Sequence, residues 1–157
     1  MKKNVITAVV ILSVLGLYIY VQAEKHTTIG ELVDERVDDS LTFKQLSVEV
    51  FREGKNSSQF SRPIKGFSIS DESFIQELIG KIDSTEVKQT NELSMQTRFR
   101  LVFTYQKEIE ENHYSNQTFF IEVGTDRLIM DRVYDIEGGP NPVDIITDML
   151  KAEGYEW

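Results

Sequence analysis

Residues 5–21 (VITAVVILSVLGLYIYV) form a run of 17 without a charge, preceded by Lys2 and Lys3 and followed by Glu24, Lys25 and His26. A helix apolar on every side needs lipid or a large protein around it, so this run does not belong to the core of a small domain. At about 1.5 Å per residue it reaches roughly 26 Å, just short of a hydrocarbon core of about 30 Å. Two lysines precede it and the first charge after it is acidic, so the positive-inside rule keeps Met1 cytoplasmic and exports the remainder. The expectation is a membrane contact through residues 5–21. In the preferred reading residues 1–23 are a transmembrane anchor, with Tyr18 and Tyr20 at the outer interface, and the protein sits single-pass in the cell membrane with its C-terminal domain outside. In the other they are a signal peptide, cut after Val21-Gln22-Ala23, and the protein is secreted.

Removing Lys2 and Lys3 leaves 15 cationic against 26 acidic residues in 24–157, a net −11. Such a chain lacks the basic face that neutralises phosphates, which argues against nucleic-acid binding. With no cysteine, disulfide frameworks, zinc knuckles, iron–sulfur clusters, cysteine nucleophiles and acylated N-terminal cysteines are all excluded.

Beyond the apolar run, residues 24–40 are polar and rich in acid (Glu31, Asp34, Glu35, Asp38, Asp39), and read as a self-repelling linker, with one short helix carrying Leu32 and Val33 as the alternative. From residue 41 to 157 the pattern is that of one domain. Leu46, Val48 and Val50 alternate with Ser47 and Glu49, the period of a half-buried strand. Ser70 or Asp71 caps a helix bearing Phe74, Ile75, Leu78, Ile79 and Ile82 on one side. After a polar connection over 83–95, strands are expected at 98–105, 118–123 and 127–133, joined by a charged turn at 107–113 and by Gly124-Thr125-Asp126. Two glycines and two prolines in residues 135–142 predict irregular chain, and Asn141 and Pro142 open a final helix carrying Ile145, Ile146, Met149 and Leu150. The predicted fold class is α+β: an N-terminal membrane helix, then an antiparallel sheet of about four strands with two helices packed on one face.

Catalytic chemistry is sparse. His26 falls in the linker and His113 in a charged turn, where no packed scaffold fixes them beside a serine nucleophile. Gly138-Gly139 runs straight into Pro140 and lacks the lysine and hydroxyl of a phosphate loop. No metal ligand set or cofactor cradle is discerned, so no cofactor is expected. The polar feature that stands out is Arg98 and Arg100, two apart on one strand, which are expected to project together from the outer side of the sheet, a place for contact with an anion or an acidic partner. The preferred account instead pairs them across strands with Glu122 or Asp131. Asn56-Ser57-Ser58 and Asn116-Gln117-Thr118 are glycan acceptors only in a glycosylating host.

The segments MKKNVITAVVILSVLG, FSISDESFIQELIGKI, RFRLVFTY and FFIEV together resemble small uncharacterised secreted or membrane-anchored proteins of Gram-positive bacilli, the YhfM-like domains among them. Many of those carry a lipid-anchored cysteine that is missing here. The resemblance implies an extracytoplasmic, non-catalytic domain. Three functions are thus in view: a tethered interaction or sensing domain, a small carboxylate-dependent hydrolase using Glu122, Asp131 and the 135–142 loop, and an acidic inhibitor or immunity-type protein that blocks a basic partner.

Overall fold

The longest strands follow from strict alternation. In β5 (Thr97–Glu110), Phe99, Leu101, Phe103 and Tyr105 are buried while Arg100, Val102 and Thr104 between them are half-buried. β2 (Thr42–Val50) lies antiparallel beside it and sets Val50, Val48 and Leu46 opposite Phe99, Leu101 and Phe103. β6 (His113–Gly124) pairs on the other side, with Phe119 stacked on Phe103 at 4.9 Å between ring centroids. Each such side chain, fully buried, contributes about 1.5–3 kcal/mol, and this one face supplies most of the core.

The computed structural model describes residues 11–14, 26–37, 40–52, 62–92, 94–111 and 113–157. Besides β2, β5 and β6 it contains β1 (His26–Thr28), β3 (Lys65–Ile69), β4 (Glu86–Thr90), β7 (Arg127–Ile129) and β8 (Val133–Gly138), all joined in one antiparallel sheet of order β1-β4-β8-β7-β6-β5-β2-β3. Three helices, α1 (Ile29–Asp34), α2 (Glu72–Ile82) and α3 (Pro142–Ala152), send their apolar side chains into the core that the sheet's inner face supplies.

Local chemistry sets the helix starts. The Asp71 carboxylate accepts hydrogen bonds from the Ser73 and Phe74 amides at 2.9 and 3.4 Å and begins α2. Asn141 accepts from the Val143 amide at 2.9 Å and Pro142 fills the first position of α3. Thr28 and Glu31 close a reciprocal box at the start of α1, each side chain bound to the other's backbone amide at 3.2 Å. Between β8 and α3 the chain turns through Gly139 at φ +81°, where an added Cβ would lie 2.8 Å from the Ser84 carbonyl oxygen.

These observations correct the predicted fold. Among the described residues the sheet has eight strands, not about four. β4 was hidden because Val87 is its single buried apolar residue, and β8 because the Gly and Pro residues that follow Ile136 mask the Val133, Tyr134 and Ile136 positions it contributes. The expected acidic linker of 24–40 holds β1 and α1 instead: Ile29, Leu32 and Val33 are buried, while Glu31 and Asp34 of the same helix are exposed. The turn expected at 107–113 is mostly strand, since β5 and β6 extend into a long hairpin.

The membrane expectation is also corrected. No helix among the described residues is long and apolar enough to cross a membrane. Of the 5–21 run only residues 11–14 are described; they are helical, and Ile11, Leu12 and Val14 are exposed. The N-terminal membrane helix, the single-pass placement and the membrane contact through residues 5–21 therefore do not stand, and the rest of that run, with the Ala23 cleavage position, lies outside the described residues.

Candidate functional site

Because α1, α2 and α3 all pack on one side, the opposite face of the sheet is left uncovered among the described residues, and its positions carry charge in an ordered series. Near the β3 edge, Arg100 of β5 stands between Glu49 of β2 and Glu122 of β6, the residues directly opposite it in each neighbour. Its Nε and Nη2 donate to Glu122 Oε1 at 2.9 and 2.6 Å, and its Nη1 donates to Glu49 Oε2 at 3.1 Å. Thr97 donates to the other Glu122 oxygen at 3.1 Å, and the Phe51 ring lies 5.4 Å from the guanidinium carbon. Partial burial pulls the Arg100 pKa down, but the hydrogen bond and charge of Glu122, aided by Glu49, outweigh it and hold the group above its ordinary value.

A second group follows at the centre of the sheet. Arg127 of β7 donates to Asp135 of β8 at 2.6 Å, to the Ser94 carbonyl at 2.6 Å and to Glu92. The Asp135 and Glu92 hydrogen bonds raise its pKa. Toward the far edge, Glu137 takes His26 at 3.1 Å and Lys88 at 3.6 Å. The series thus alternates in sign, with carboxylates the more numerous. Val102, Thr118 and Phe120 interrupt it next to Arg100 and Glu122, lining a shallow cleft of about 280 Å³.

The structure does not bring Arg98 and Arg100 together. Thr97 and Arg100 both reach Glu122, three residues apart rather than two, because a register shift between Thr97 and Phe99 inserts Arg98 as an extra residue. Arg98 lines a different cavity, of about 640 Å³, with Thr147, Lys151, Tyr155 and Trp157 beside α3. Arg100 is on the uncovered face, engaged by two carboxylates. The bulge that separates the arginines also brings the chain close to itself, since a Cβ on Gly124 would stand 2.7 Å from the Gln96 carbonyl oxygen.

The carboxylates considered for a hydrolase are each matched to a different cation: Glu122 to Arg100, Asp131 to Arg36 at 3.0 Å, Asp135 to Arg127, Glu137 to His26 and Lys88. A glycosidase-type acid and base need two carboxyl groups sharing one cleft, whereas these four carboxylates are engaged by separate cations. His113 is exposed at the start of β6. Among the described residues no three His, Asp or Glu side chains converge as a metal site.

Sequence reasoning put Glu49 on the polar side of β2 but had no means of placing it against Arg100, because strand register is not written in alternation. Arg127 went unnoticed altogether, although it is the most connected cation of the face. Comparison with family models, with curated proteins and with solved structures gave no match to this chain.

Proposed function

We propose that the protein is a non-catalytic interaction domain whose working surface is the uncovered face of the sheet, and that its partner presents a basic surface. The observation that carries this reading is the charge series itself. Glu49, Glu122, Asp135, Glu137 and Glu92 outnumber Arg100, Arg127 and Lys88 on it, and each cation is already bound to a carboxylate, so the surplus that faces outward is negative. Salt-bridged side chains are also ordered before a partner arrives, which lowers the entropy lost on association. Rim charges of one sign steer a partner of the opposite sign and make association depend on ionic strength.

The test is capture by the immobilised full chain at low salt, followed by a salt wash, with wild type compared against Glu92→Lys/Glu137→Lys. A basic protein retained by wild type, released by salt and not captured by the reversed variant is the expected result. Equal capture by both proteins, with melting temperatures matched, overturns the reading.

A further inference from the structure

The two formal edges of the sheet are blunt: β1 has three residues, and β3 has five, begins at Lys65 and follows Pro63. Short strands, lysine and proline are the devices that keep sheet edges from pairing with other chains. A third edge lacks them. β7 pairs with β6 only at Glu122 and Val123, so residues 113–121 of β6 have no strand partner on that side among the described residues. Their solvent exposure agrees: His113, Tyr114, Asn116, Gln117, Thr118 and Phe120 are all exposed, Tyr114 by 54% and Phe120 by 44%.

From these observations we infer that the protein self-associates by antiparallel pairing of this β6 segment with the same segment of a second copy. Three features favour a second copy over another occupant. The segment HYSNQTFFI contains no Asp, Glu, Lys or Arg in a chain of net charge −9, so two copies meet there without the repulsion that the rest of the surface imposes. It carries no bulge of its own: both register shifts of the β5–β6 pair place the extra residue on β5. It is also complementary to itself. A two-fold axis at Gln117 sets Tyr114 opposite Phe120 of the second copy, twice, and Asn116 opposite Thr118. Tyr114, Asn116, Thr118 and Phe120 lie at alternate positions and so share the uncovered face. The pairing uses the strand edge and does not rest on the basic partner proposed for the face.

Sedimentation of the full chain over a concentration series should show a monomer–dimer equilibrium. Tyr114→Lys/Phe120→Lys should raise the dissociation constant at least about tenfold while far-ultraviolet dichroism is unchanged. Opposed residues in an antiparallel pair have Cβ atoms about 4.5–5.5 Å apart, and the protein has no cysteine. Oxidised Gln117→Cys should therefore form a covalent dimer and Lys65→Cys, on the blunt edge, should not. A wild-type chain that stays monomeric to about 1 mM, or two cysteine variants that cross-link equally, overturns the inference. So does a folded double-lysine variant that dimerises as wild type does. If that variant does not fold, the two cysteine variants decide.

Discussion

Along β5 the two sides of one strand have been given opposite work. Phe99, Leu101 and Phe103 are wholly buried beneath the helices, while Arg100 and Val102, one residue away, face the uncovered side and keep contact with water. The inner side is apolar and tightly interlocked, so its contribution is large and indifferent to salt. The outer side is held by ion pairs, whose net contribution is small and screened. Fold stability and surface character are therefore separable in this sheet, and substitutions can move one without the other.

The contrast breaks most sharply at Leu101. Leu101→Ala removes a fully buried side chain and should lower the unfolding free energy by about 2–5 kcal/mol in urea titration, whereas Val102→Ala beside it should cost under about 1 kcal/mol. A loss at Val102 as large as that at Leu101 would mean that the uncovered face is buried in solution. Gly139→Ala tests how the covering layer is attached, because Gly139 turns the chain from β8 into α3 at a positive φ and against the Ser84 carbonyl. A loss of about 1–3 kcal/mol is expected by the same titration. Arg100→Met sharpens the outer side. It leaves Glu49 and Glu122 without their cation and should cost about 1–2 kcal/mol, and the difference from wild type should narrow in high salt.

The smallest effect concerns the start of α2. Hydrogen bonds from the Ser73 hydroxyl and from the Ser73 and Phe74 amides hold the Asp71 carboxyl below its ordinary pKa. A lowered folded-state pKa gives stability that is complete above the ordinary aspartate range and is lost as pH falls through the lower folded value. Asp71→Ala should therefore reduce the melting temperature at neutral pH, and the two melting curves should converge in acid. A difference that persists undiminished in acid would show that the carboxylate is not the cap.

How much of this could be read beforehand depends on whether an element announces itself by period. β2, β5 and the two long helices do, through Leu46-Val48-Val50, Phe99-Leu101-Phe103 and the Asp71 and Asn141 caps. β1, β4 and β8 do not: each is short, with few buried apolar residues, and is a strand only because a neighbour pairs with it. The 5–21 run misled in the other direction, since hydropathy alone carried both the fold and the location. At the site, the pairing of Arg100 with Glu122 was foreseen as one of two accounts. Its separation from Arg98 was not, because a one-residue bulge leaves no compositional trace.

The sheet order has a consequence for how the polypeptide matures. Among the described residues β8 alone bridges the β1-β4 pair and the β7-β6-β5-β2-β3 group, and it lies C-terminal to all of them. Before β8 is made, those two parts of the sheet share no strand pairing among the described residues, and one of them is only two strands wide. The keystone is thus made after both of the parts that it joins, and α3 follows it directly in the chain.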